Sequence, residues 1–158
     1  TTGGDLDLGN LVASLGITLD ADGDIETGSI TATGGALQVG LASAADSVTI
    51  GGPASARSIG LRGTGAVEGV NMTATAGNLT INAGTSIDAG TLAATGGNVL
   101  LTAAGDIRTG ELTAILAPIG GGTIDVESTG GAIDLGRLTA DLGIDLDALG
   151  AVLVTGGM

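Results

Sequence analysis

An aliphatic-x-aliphatic pair returns along the whole chain, at Ile17/Leu19, Leu37/Val39, Ile59/Leu61, Leu79/Ile81, Val99/Leu101, Ile124/Val126 and Ile144/Leu146. Successive spacings are 20, 22, 20, 20, 25 and 20 residues. A second set of markers follows at Ile25, Val48, Val67, Ile87, Ile107, Ile133 and Val152, and a third at Ile30, Met72, Leu92, Leu112 and Leu138. Two residues after the third set stand Ala32, Ala74, Ala94, Ala114 and Ala140. The stretch AGNLTINAGTSIDAGTLAA (76–94) and its successor GGNVLLTAAGDIRTGELTA (96–114) carry every marker in the same order. A fixed period of this length is the mark of a repeat architecture, in which one unit cannot bury its own apolar face and must stack on copies of itself.

Within each unit the local period is two. Segments such as NLTI and GTIDV alternate an aliphatic with Thr, Asn or Asp, the pattern of a half-buried strand. Glycine, 32 of 158 residues and about three times its usual share, recurs too often for a helix. Three short strands in about 20 residues make one coil of a parallel β-solenoid. The hairpin pair Asn-Gly, which a meander or sandwich would favour, does not occur. We therefore expect an all-β, single-stranded parallel β-helix of roughly seven to eight coils, forming one domain over residues 1–158. Its core ladders are expected at Ile17, Leu37, Ile59, Leu79, Val99, Ile124 and Ile144 on one wall. A second wall takes Ile25, Val67, Ile87 and Ile107, and a third Leu92 and Leu112. Glycine is expected at corners that need positive φ. GGPAS at 51–55 reads as a corner, and LAPIGG around Pro118 as an insertion bulging from another.

Composition narrows the function. Phe, Trp, Tyr, Cys, His and Lys are all absent, and seventeen acids against four Arg give a net charge of −13. A core without aromatic rings must be layered from Leu, Ile, Val and Ala, which suits a thin repetitive structure. Clustered cations, needed to hold phosphates, are missing, so neither nucleic acid nor an anionic membrane surface is an expected partner. Mean hydropathy is positive at +0.53, yet no run of 18 apolar residues exists, so membrane insertion by a helix is not expected. The opening TTGG lacks a charged-then-apolar leader. Both ends remain in repeat, GGDLDLGNLVASLG and GAVLVTGGM. We read the chain as a segment of a longer array, or as a unit that stacks end to end.

The units GGNVLLTAAGDIRTGELTA, GNLTINAGTSIDAGTLAATG and GGAIDLGRLTADLG resemble the repeats of filamentous haemagglutinin-type adhesins. The resemblance covers essentially the whole chain, most clearly 16–35 and 65–115. It implies a right-handed parallel β-helix from a large exoprotein of Gram-negative bacteria, exported by two-partner secretion to the cell surface or beyond. The secretion domain of that family carries Asn-Pro-Asn-type motifs, and no Asn-Pro occurs here. The resemblance therefore implies shaft rather than secretion signal, and it carries no catalytic or binding residue onto this sequence. Implied partners are neighbouring coils, further copies, and host or environmental glycans or proteins.

Other chemistries remain to be weighed. Without His, Cys, Lys or Tyr, a Ser or Thr nucleophile has no base of the usual kind, so we expect no catalysis. Carboxylate pairs of a polysaccharide-binding or -cleaving β-helix are the alternative. Asp20, Asp22 and Asp24, in LDADGDIE, are a candidate calcium set, since hard oxygens at alternate positions suit Ca²⁺. The EF-hand register fails at Thr31, and Gly23-Asp24-Ile25 also reads as the same corner as Gly105-Asp106-Ile107. No other cofactor is expected. Thr-Ala-Thr at 31–33 and 73–75 raises an ice-binding array, broken at Ala93, Ile115 and Asp141.

Overall fold

In the computed structural model, which describes residues 4–42, 45–116 and 121–157, the chain winds through three parallel sheets. Most strands begin where an apolar residue follows a small or polar one, while β18 and β21 start one residue earlier, at Thr123 and Gly143. Sheet A holds β1 (Leu6–Leu8), β4 (Ile25–Thr27), β7 (Val48–Ile50), β10 (Val67–Gly69), β13 (Ile87–Ala89), β16 (Ile107–Thr109), β19 (Ile133–Leu135) and β22 (Val152–Val154). Sheet B holds β2 (Leu11–Ala13), β5 (Ile30–Ala32), β8 (Ala54–Ala56), β11 (Met72–Ala74), β14 (Leu92–Ala94), β17 (Leu112–Ala114) and β20 (Leu138–Ala140). Sheet C holds β3 (Ile17–Leu19), β6 (Leu37–Val39), β9 (Ile59–Gly63), β12 (Leu79–Ala83), β15 (Val99–Ala103), β18 (Thr123–Ser128) and β21 (Gly143–Ala148). Visiting A, B and C in rotation gives seven coils and one further strand, about 35 Å of rod at the strand spacing of roughly 4.8 Å.

The expected ladders are the core. Ile25, Val48, Val67, Ile87, Ile107 and Ile133 pair in register along sheet A and are all but fully buried. Leu37, Ile59, Leu79, Val99 and Ile124 do the same along sheet C. Ile17 and Ile144 continue that column in the first and last coils, where they are only partly covered. Leu92 and Leu112 pair across β14 and β17. The alanine column is longer than the repeat suggested. Ala13 and Ala56 join it, so that one corner of all seven coils is lined by Ala alone.

Two expectations change. Positive φ is confined, among the described residues, to Gly40, Gly121 and Gly157. Most other corner glycines serve close approach instead: a Cβ on Gly84 would run into the Thr64 carbonyl oxygen of the preceding coil, and one on Gly90 into that of Val70. The corner at 51–55 is shorter than expected, because Ala54 and Ser55 already belong to β8. Pro53, which has no N–H to give, still accepts from the Ile30 N–H at 3.0 Å. The centre of the LAPIGG insertion, 117–120, lies outside the described residues.

Candidate functional site

Outward positions alternate with the core ladders, and each sheet presents a distinct column. Sheet A carries Asp7, Glu26, Thr49, Glu68, Asp88, Arg108, Asp134 and Leu153 in register. Sheet B carries no charge at its outward strand positions: Val12, Thr31, Ser55, Thr73, Ala93, Thr113 and Thr139. Sheet C ends in two acid-on-acid rungs, Asp125 against Asp145 and Glu127 against Asp147. The charge of the rod is thus concentrated on two of its three faces and their corners.

A depression of about 200 Å³ on sheet A is lined by Asp24, Glu26, Ser47, Thr49 and Glu68, together with Ile25 and Ala66. Thr49 opens it, being shorter than the glutamates on either side. Glu26 and Glu68 flank it two rungs apart, on the order of 10 Å along the sheet. No Arg stands beside them to hold an acidic sugar.

The residues singled out for calcium have other work. Asp24 Oδ1 accepts the Ser47 N–H at 3.0 Å, and Asp20 Oδ1 accepts the Ala42 N–H at 3.0 Å. Both donors lie in the following coil. Asp22 is exposed. Among the described residues, no group of three potential ligands comes together to hold a metal ion. Asp106 behaves as Asp24 does, its Oδ1 accepting the Ala132 N–H at 2.9 Å, so the two Gly-Asp-Ile corners are the same structure. Its other oxygen pairs with Arg108 at 3.1 Å, with side chains 46% and 63% exposed. An exposed pair of this kind contributes about 0–1 kcal/mol.

These contacts belong to a wider device that the repeat pattern alone did not single out. In most of them the donor is the residue just before an inward-facing ladder residue, and an Asp or Asn in the preceding coil takes up its N–H. Asp5 accepts from Asp24 at 3.1 Å, Asn10 from Ser29 at 2.8 Å and Asn71 from Thr91 at 3.0 Å. Asn78 accepts from Asn98, and Asn98 in turn from Thr123, each at 3.0 Å. The sequence signal was present as Asp or Asn directly before an aliphatic-x-aliphatic strand. Each bond clips one coil to the next, satisfying a donor that would otherwise face only solvent. The Thr array considered for ice binding is resolved into an outward column at Thr31, Ser55, Thr73, Thr113 and Thr139. The Thr75 and Thr95 hydroxyls turn back to donate to the carbonyls of Ala56 and Ala74.

No protein-family model, curated protein or solved structure matches the chain. The chemistry of the surface rests on this geometry alone: repeated β-coils, an acidic exterior, and one uncharged face.

Proposed function

We propose that the chain is a non-catalytic structural and adhesive element, the repetitive shaft of an exported bacterial surface filament or filamentous haemagglutinin-like adhesin. One observation carries the reading: three parallel sheets run unbroken through every coil, so that adding coils adds length and nothing else. The stacked aliphatics and ladder hydrogen bonds give a stiff rod. The first and last described coils, with open strand edges and half-covered Leu6, Leu11, Ile17, Ile144 and Leu146, match each other in the kind of surface they present. Axial stacking on further coils or copies belongs to the same proposal. Its partners are itself and surface glycans or proteins, and its place is outside the cell.

Negative-stain images over a rising concentration series test the stacking. Rods that lengthen along one axis at constant width are expected. Discrete particles of about 35 Å at every concentration would overturn it. A polysaccharide-cleaving module is the second reading, favoured only by the Glu26 and Glu68 carboxylates across their depression. Release of reducing ends from acidic or neutral glycans, lost in Glu68→Gln, would establish that reading in place of the first.

A further inference from the structure

Two of the asparagine clips have a second feature. Asn71-Met72-Thr73 and Asn78-Leu79-Thr80 both read Asn-x-Thr, the acceptor pattern for attachment of a sugar to the Asn amide. Asn10 and Asn98 make the same clip but are followed two residues later by Val12 and Leu100. The fold therefore uses Asn here with or without the threonine, and the threonine is the separable part.

The clip engages one end of the amide. Asn71 Oδ1 accepts from Thr91, and Asn78 Oδ1 accepts from Asn98, while neither Nδ2 has a hydrogen-bond partner among the described residues. Both side chains are exposed. In the next coil Gly90 lies against Asn71 Oδ1 and Gly97 against Asn78 Oδ1, where a Cβ would collide with the clip. Asn71 precedes β11 at the corner of sheets A and B, and Asn78 precedes β12 at the corner of sheets B and C. They bracket the uncharged face of the fourth coil.

The geometry points to Asn71 and Asn78 as N-glycosylation sites whose sugars flank the uncharged face, an inference that rests on the chain being exported. In the transfer, Nδ2 attacks the anomeric carbon of a diphosphate-activated sugar. The bond from that carbon to the phosphate oxygen breaks, the carbon–nitrogen bond forms, and the amide proton passes to a base on the transferase. Oδ1 takes no part in the new bond and is left to accept its clip when the coils stack, so the product is compatible with the coil. Transfer precedes folding. Once the coil has formed, Met72 and Leu79 are buried and their N–H groups are bonded to the Thr91 and Asn98 carbonyls, both at 2.9 Å, which withholds the tripeptide from an enzyme.

Intact-mass measurement and peptide mapping of the chain secreted by its native producer test this. Sugar is expected on Asn71 and Asn78, and none on Asn10 or Asn98. Thr73→Ala should remove the first sugar alone and Thr80→Ala the second alone, with melting curves unchanged because the Asn clips remain. Leu100→Thr should create a third site at Asn98. Bare Asn71 and Asn78 in secreted protein would overturn the inference while leaving the structural reading intact, as would equal modification of Asn10 and Asn98. A chain found only inside the cell would overturn the export reading, and this inference with it.

Discussion

Thr109 ends β16 facing inward, and its hydroxyl is buried without a hydrogen-bond partner. Thr27, in the same column, has an acceptor in the Gly28 carbonyl at 3.4 Å. A buried hydroxyl without a partner costs about 1–3 kcal/mol relative to an isosteric apolar group. Thr109→Val should therefore stabilise the rod by about 1 kcal/mol, read as a rise in the denaturation midpoint with unchanged slope. A fall in the midpoint would show that the hydroxyl is satisfied. The alanine column makes the opposite case. Ala94 is fully buried between Ala74 and Ala114, at the narrow corner where backbone from all three coils converges. Leucine there has no unfilled volume to enter, and overpacking costs about 1–3 kcal/mol or more. Ala94→Leu should lower the melting temperature by several degrees, by roughly 2–4 °C for each kcal/mol in a chain of this size. Ala93→Leu, one residue away and pointing outward, should leave it nearly unchanged.

At the scale of the strand, β18 and β21 set like charges directly opposite, Asp125 on Asp145 and Glu127 on Asp147. Each such rung costs about 0.2–1 kcal/mol. Sheet A has two such rungs of its own, Asp7 on Glu26 and Glu68 on Asp88, but farther along it places Arg108 between Asp88 and Asp134, which relieves the problem there. The double variant Asp145→Asn/Asp147→Asn should melt a few degrees higher at low salt. The difference should shrink as added salt screens the native pairs. A gap that persists at high salt would mean that something other than charge separates the two proteins.

The rungs themselves were legible before the structure, because a ladder of identical aliphatics is also a sequence period. Its neighbours were not all so plain. The second inward column of sheet A runs Leu8, Thr27, Ile50, Gly69, Ala89, Thr109, Leu135 and Val154, with no common residue type. Packing explains the irregularity. Gly69 leaves the space that the Met72 side chain fills. Volume is conserved within a coil and not along a column, so a search for repeated letters passes over it. The Asp and Asn clips were hidden for a related reason: a polar residue at a corner looks like any turn residue until the coil above supplies its donor. The uncharged face of sheet B was half visible as Thr-Ala-Thr, but Ser55 joins it only through register.

For the whole molecule, the decisive property is that every coil is held by the coils on either side of it. All strand pairs join consecutive coils, and the apolar core is one continuous cluster from Ala21 to Leu138 with partly buried residues at both ends. Stability in such a chain is close to a sum over coils and their interfaces, so damage in the middle matters more than damage at an end. Ile87 is 1% exposed in the fifth coil, stacked between Val67 and Ile107. An aspartate there would bury a carboxylate with no cation in reach, a penalty larger than one coil can absorb. Ile87→Asp should abolish the single cooperative transition of the native rod. In its place, circular dichroism should show either no transition or a broad one at much lower temperature, and native-state amide exchange should lose protection first in β10, β13 and β16. The same substitution at Val152, 46% exposed in the last strand, should cost far less because water still reaches the site. Equal losses from the two variants would mean that the coils do not share one core, and an unchanged melting curve for Ile87→Asp would show that Ile87 does not face inward at all.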